Sequence, residues 1–364
     1  MQSKLFFTTL DAIRGVAAVL VMMRHVPYFA KFQESYLAVD VFFLLSGVVI
    51  ANAYEQRLLQ GLSIRRFTLM RVIRIYPLYL LGCALTLVAL YADGMPAWQP
   101  LLTMIVLAGL LLPDLARDPP FPLNHPAWSL FFELLANVFY GALVSRLSTR
   151  RLLILIATSA LGLGVILLKS RHTSLDFGWT RSTLLFGIFR VAYSFFAGVL
   201  LYRYFVLYSR PVVRILAGRS GLMQGLPWLI VAAIAAILMA GPAPAWHPYF
   251  DFIVVVAVFP SLIYLALCMP EKCYGASLAR YLGLVSYPLY ALHVPLYRLT
   301  VSFLEPRMDN DSPWLAVIFA VGLVLSCSLV NRYFDTPVRR RLMAYAEAGY
   351  TRLGRSKAAP AQDP

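Results

Sequence analysis

Residues 10–25 read LDAIRGVAAVLVMMRH. The stretch opens an apolar run long enough to enter a bilayer, yet it carries Asp11, Arg14, Arg24 and His25. A charged side chain at the centre of a membrane helix costs about 2.5–3.5 kcal/mol, so charges kept there need partners or a task. Arg14 and His25 are eleven residues apart. That is close to three helical turns, which puts them on one face about 16 Å apart along the axis. Asp11 lies one turn before Arg14 and can neutralise it. Two readings of this face stand open. In one, Asp11 and Arg14 are an interfacial pair and His25 belongs to the polar belt at the other surface. In the other, Arg14 and His25 are functional groups, the default for ionisable residues at membrane depth. Arg24 reads as an interfacial residue.

The rest of the chain makes the membrane reading general. Its 364 residues are 60% hydrophobic and 13% charged, with mean hydropathy +0.71, whereas a soluble domain carries about 25% charged residues. Lys and Arg number 32 against 17 Asp and Glu, a net charge of +15. These basic residues fall in short clusters between apolar runs, the pattern of cytoplasmic loops rather than of a nucleic-acid surface, so no nucleic-acid partner is expected. Cys83, Cys268, Cys273 and Cys327 form no CxxC pair, and neither a disulfide framework nor a zinc site is expected. The first segment is too long and too polar for a signal-peptide core and reads as a permanent helix.

Apolar runs long enough to span lie near 8–28, 37–55, 72–91, 127–147, 152–168, 184–206, 226–241, 249–270, 281–304 and 314–333. A shorter run, 101–112, sits between Pro100 and Pro113. Counting it as a crossing would put Arg146, Arg150 and Arg151 outside, with Arg210, Arg214 and Arg219. Treated as re-entrant or interfacial, it leaves about ten spans with both termini cytoplasmic. Only Lys31, Arg117, Lys169, Arg171, Arg181 and Arg307 then lie outside, with Arg24, Arg190 and Arg298 in outer helix halves. That asymmetry selects the topology. The predicted fold is an all-α polytopic transmembrane bundle over residues 1–340, followed by a partly disordered cytoplasmic tail at 341–364.

On that topology Arg71 and Arg74 fall at the cytosolic start of the third span, one turn apart and just after Arg65 and Arg66. Two guanidiniums at a helix N-terminus make either a phosphate site or a positive-inside anchor. Glu133 lies about two turns into the fifth span from outside, near the depth of His25, and Asp40, Arg190, His293 and Arg298 fall in outer halves. Groups at such depth should pair in a shared polar cavity. Arg298 as a snorkelling residue and His293 as a hydrogen-bonded core residue remain open. Ser46-Gly47 reads as a small-residue packing site rather than a nucleophile. The Asp309-Asn310-Asp311 triplet reads as a solvated turn, and His125, His172 and His247 show no metal-ligand spacing, so no metal is expected.

Five segments, in order, resemble the acyltransferase family 3 membrane proteins, which include O-acetylases of O-antigen, exopolysaccharide and nodulation factors. They are Arg14-x10-His25, AVDVFFLLSGVVI (38–50), RVIRIYPLY (71–79), PAWSLFFE (126–133) and SYPLYALHVPLY (286–297). Together they cover nearly the whole chain. Ala38 departs from the Gly that often precedes Val-Asp in the family, and residues 341–364 do not resemble the esterase-like domain fused to some members.

The resemblance implies an acyltransferase of the bacterial inner membrane that uses acetyl-CoA or a related acyl-CoA as co-substrate, with no permanently bound cofactor. It implies acyl-CoA binding at Arg71 and Arg74, beside Ser46. Acyl transfer to a hydroxyl needs a base, and His25 suits that role, with Glu133 and Arg14 as its catalytic partners. Asp40, Trp128, Tyr290 and His293 are the expected lining of the cavity that receives an extracytoplasmic carbohydrate. Transfer through an acyl-imidazole on His25 stays open. The rival class is a transporter or flippase of a lipid-linked saccharide, for which inverted repeats or paired broken helices would be the sign.

Overall fold

Lipid cannot hydrogen-bond a peptide group, so apolar runs of this length must satisfy their backbone internally. The structure, a computed structural model, describes residues 7–26, 33–169, 174–209, 222–271, 273–304 and 313–358. Among these residues there are helices and no strands. They are α1 (Thr8–Arg24), α2 (Ala38–Leu59), α3 (Ile64–Asp93), α4 (Trp98–Gly109), α5 (Ala127–Leu143), α6 (Thr149–Lys169) and α7 (Gly187–Tyr204). Then come α8 (Leu222–Leu238), α9 (His247–Leu267), α10 (Ala276–Leu304), α11 (Pro313–Val330) and α12 (Thr336–Ala358). Every expected run contains a helix.

The count of crossings is coarser than expected. Among the described residues seven helices are both long and apolar enough to cross a membrane, against about ten predicted. α1 falls short by length and α8 is likewise brief, while α10 fails on composition, because Tyr287, Pro288, Tyr290, His293, Pro295 and Arg298 dilute its apolar character. α4, with 12 residues, is about 18 Å long and cannot cross alone. Within the segment expected as a partly disordered tail, residues 341–358 continue α12. His172, Arg171, Arg210, Arg214, Arg219, Arg307, Lys31 and the 309–311 triplet lie outside the described residues.

Two close crossings organise the bundle. At Gly47 an added Cβ would sit 2.0 Å from the Phe195 carbonyl oxygen, and at Gly198 it would sit 2.1 Å from that of Leu44. α2 and α7 therefore touch backbone to backbone, the small-residue contact of membrane helices. Gly15 brings α1 equally close to the Leu282 backbone of α10, and Gly283 of α10 makes room for the Asp11 side chain. Beside the α2–α7 crossing, Asp40 and Arg190 are 1% and 0% exposed and pair at 2.5 Å. Arg190 also donates to the carbonyls of Phe177 and Tyr36, and Ser194 donates to Asp40.

Proline shapes α10. Pro295 has no N–H, so the Ala291 carbonyl one turn earlier loses its helical donor. Buried Asn124 donates to that carbonyl instead, at 3.2 Å. The bond pins the loop before α5 against α10, and with it His125.

Gly47→Val or Gly198→Val should cost about 3 kcal/mol or more by forcing the α2–α7 crossing apart. Gly322→Ala, where nothing lies within 4 Å, should leave stability unchanged or raise it by up to about 1 kcal/mol. Thermal unfolding in detergent separates the two outcomes.

Candidate active site

Five helices converge on a cleft with about 810 Å³ of free space, part of it open to the surface. Its wall carries Arg14 from α1, Ser46 from α2, Arg71 and Arg74 from α3, Ser129 and Glu133 from α5, and Ser286, Tyr287 and Tyr290 from α10. Arg71 and Arg74 face the same way because they are one turn apart, as are Ser129 and Glu133. Three guanidiniums thus meet one carboxylate on the cleft wall.

The carboxylate of Glu133 accepts from Ser46 Oγ at 2.7 Å and from Arg71 Nη2 at 3.1 Å. Arg14 is held by Asp11 at 2.6 Å. Arg74 lies over the Tyr287 ring at 4.9 Å and 3.8 Å from Asp335, which also pairs with Arg339 at 2.7 Å. Asp335 sits in a π-helical turn, Asn331–Asp335, between α11 and α12. Charge balance at the cleft still leaves donors over: Arg14 Nε and Arg71 Nε are buried without an acceptor.

A second polar group gathers at the C-terminal end of α1. The His25 ring packs edge-to-face on His293 at a centroid distance of 4.7 Å. His25 Nδ1 is 2.9 Å from the Val21 carbonyl oxygen. A carbonyl can only accept, so Nδ1 carries the proton and Nε2 the lone pair of the neutral ring. The same reasoning applies to His293, whose Nδ1 faces the Leu289 and Tyr290 carbonyls at 3.0 and 2.9 Å and whose Nε2 is buried without a partner. His125, from the loop before α5, stacks on Trp179 at 5.4 Å and joins this group. Burial lowers His125 to about 4, with repulsion from His25 adding to it and Asp176 and Asp118 opposing, so it is neutral at physiological pH.

Tyr290 links the two groups. It lines the cleft, its hydroxyl pairs with Ser129 Oγ at 2.5 Å, and its ring lies 6.0 Å from that of His293. The ten candidate residues therefore divide. Arg14, Ser46, Arg71, Arg74, Glu133 and Tyr290 share the cleft. His25 and His293 form the imidazole pair. Asp40 and Trp128 belong to neither: Asp40 is spent on Arg190, and the Trp128 ring lies 5.4 Å from the same guanidinium. Glu133 stands with Arg71 rather than beside His25. Arg24 pairs with Asp176 at 2.7 Å, and Arg298 lies 3.9 Å from Asp93. Sequence reasoning missed Ser129, Tyr287 and Asp335, and set His125 aside. A Pro at i+4 from Ala291 and an Asn directly before His125 were the only available signals for the last.

Residues 7–332 match a family model described as an acyltransferase domain. Over 178 residues the chain is 39% identical to protein 2 in picA locus of Rhizobium radiobacter, covering 44% of this chain and 93% of that one. Over 364 residues it is 22% identical to the peptidoglycan O-acetyltransferase of Listeria monocytogenes, covering 93% of this chain and 56% of that protein's length. No solved structure matches the chain.

Glu133→Ala would strand the Arg71 guanidinium, which is 12% exposed. It should cost about 1.5–3 kcal/mol, against about 1 kcal/mol for Ser46→Ala, which removes one neutral donor. Equal melting-temperature losses for the two variants would show that the ion pair does not hold α3 to α5.

Proposed function

The chain belongs to this family of membrane acyltransferase domains, and from that premise we propose that it carries an acyl group, acetyl first, from cytosolic acyl-CoA to a hydroxyl of an extracytoplasmic carbohydrate, in a bacterial inner membrane. The observation that carries the reading is the cleft of Arg14, Arg71 and Arg74, which ends at Tyr290 beside the His25–His293 pair.

Phosphates of the donor rest on Arg71 and Arg74, whose planar forks suit phosphate oxygens. The thioester end extends past Tyr290 toward the imidazoles. There His25 Nε2 takes the proton of the acceptor hydroxyl as its oxygen attacks the thioester carbonyl. The developing oxyanion accepts from the Tyr290 hydroxyl, whose hydrogen turns to it from Ser129 Oγ, while Ser129 keeps its own hydrogen on the Pro126 carbonyl. Collapse breaks the carbon–sulfur bond, and the departing thiolate takes the proton from the His25 imidazolium. His293, which packs on His25 at 4.7 Å, fixes the ring's orientation. Glu133 keeps Arg71 in place and is a positioning residue.

Two variant sets test this in purified protein given acetyl-CoA and an envelope glycan. His25→Ala removes a general base and should lower the rate of CoA release by about 10²–10⁴-fold while acetyl-CoA affinity is kept. Full activity in that variant would end the assignment. Arg71→Ala with Arg74→Ala should weaken acetyl-CoA binding by about 10-fold or more, at about 1.5–3 kcal/mol for each charge-assisted contact. Unchanged affinity would reduce the pair to a membrane anchor.

A further inference from the structure

His247, which no sequence spacing marks as a ligand, meets two carboxylates in the fold. Its Nε2 lies 2.9 Å from Glu34 Oε1 and 3.9 Å from Asp251 Oδ1. Asp251 follows His247 by one turn of α9, so both side chains leave the same face. Glu34 comes from the short 3-10 helix Gln33–Leu37 that leads into α2. The three ligand atoms all lie within 4.8 Å of one another. Glu34 and Asp251 are 1% and 0% exposed, and they are not part of the cleft or of the imidazole pair.

The protons available do not balance this cluster. Tyr36 Oη sits 2.9 Å from Glu34 Oε2, 2.5 Å from Asp251 Oδ2 and 3.1 Å from His247 Nε2, yet it has one hydrogen to give. The Leu175 N–H also donates to Asp251 Oδ2, at 2.7 Å. Oδ1 of the same carboxylate is buried with no hydrogen-bond partner at all, and it is the oxygen turned toward His247. His247 Nε2 can give a hydrogen to Glu34, whose oxygens it faces at 2.9 and 3.2 Å, and Tyr36 gives its own to Asp251, which still leaves Asp251 Oδ1 an orphan among two buried carboxylates.

We propose that Glu34, His247 and Asp251 bind a divalent transition-metal ion, with zinc the best fit. A nitrogen and two carboxylate oxygens are a recognised zinc donor set, with a fourth position left for water. Ligand bonds of about 2.0–2.2 Å place tetrahedral ligand atoms about 3.4 Å apart, inside the spread seen here. Tyr36 and Leu175 then act on the far oxygen of Asp251, orienting it as outer-shell partners orient metal carboxylates. The ion joins three separate parts of the chain: the turn before α2, the start of α9 and the loop at Leu175. Through the Tyr36 carbonyl, which accepts from Arg190 Nη2, the clasp also braces the Asp40–Arg190 pair. Its role is structural.

The test uses the full chain in detergent, dialysed against zinc chloride and then against metal-free buffer, with bound metal read by plasma mass spectrometry. About one zinc per chain is expected, lost in His247→Ala and in Glu34→Gln, and kept in Tyr36→Phe, which touches no ligand bond. A chelator should lower the melting temperature of the wild type and leave Glu34→Gln unmoved. If the variants fail to fold, cobalt in the wild type keeps the test decisive, because tetrahedral coordination gives visible absorption bands. Wild-type protein without bound zinc or cobalt overturns the proposal, as does equal metal in wild type and His247→Ala.

Discussion

A guanidinium inside a bilayer must bring its own counter-charge, because lipid offers neither water nor a partner. This constraint explains more of the bundle than any single apolar contact. Arg190 takes Asp40, Arg203 takes Glu55, Arg71 takes Glu133 and Arg14 takes Asp11. Each bond except the last joins helices distant in sequence, so charge neutralisation doubles as a register lock between α2 and α7 and between α3 and α5. Desolvation makes such pairs modest sources of net stability, while removing one partner leaves a buried charge. Their value is therefore specificity of packing, with the close glycine crossings supplying the dispersion contact.

The pairs differ in what they leave over. Around Arg190 the donors are consumed by Asp40 and two carbonyls, and the Trp128 ring covers the guanidinium. Around Arg14 and Arg71 an Nε donor on each remains unsatisfied beside open volume. That contrast sets the Arg190 pair, closed in on all sides by protein, apart from the guanidiniums that line the cleft. The same distinction explains why the helices that carry the site are the least membrane-like. α1 is short and α10 is rich in Tyr, Pro and His, because a helix that lines a polar cleft gives up lipid compatibility to do so.

Much of this was legible in the chain. The apolar runs fixed where helices lie, and the Arg14–His25 spacing put both groups on one face of α1. The one-turn spacing of Arg71 and Arg74 put both on the cleft wall. Depth along a helix is a one-dimensional coordinate, however, and it misassigned neighbours. Glu133 and His25 seemed level, but Glu133 faces Arg71 across α3–α5. Asp40 and Trp128 were placed with the substrate when Arg190, far downstream, had claimed them. The Glu34–His247–Asp251 cluster was invisible for the same reason: Glu34 lies 213 residues before His247, and no local spacing encodes a contact between the turn before α2 and the face of α9.

The separation of the anion cleft from the imidazole pair constrains the donor. Arg14 on the cleft wall and His25, the C-cap of α1, stand about three turns apart, about 16 Å along the helix axis. A donor anchored by phosphate on Arg71 and Arg74 and reacting at His25 must span that length while staying thin enough to pass between α1, α3 and α10. A long, narrow carrier arm ending in a thioester meets the requirement, and a compact acyl donor such as an acyl phosphate does not. The length of the polar stripe therefore supports the acyl-CoA donor of the proposed reaction, in which the acceptor hydroxyl arrives at the end of α1 where His25 and His293 are.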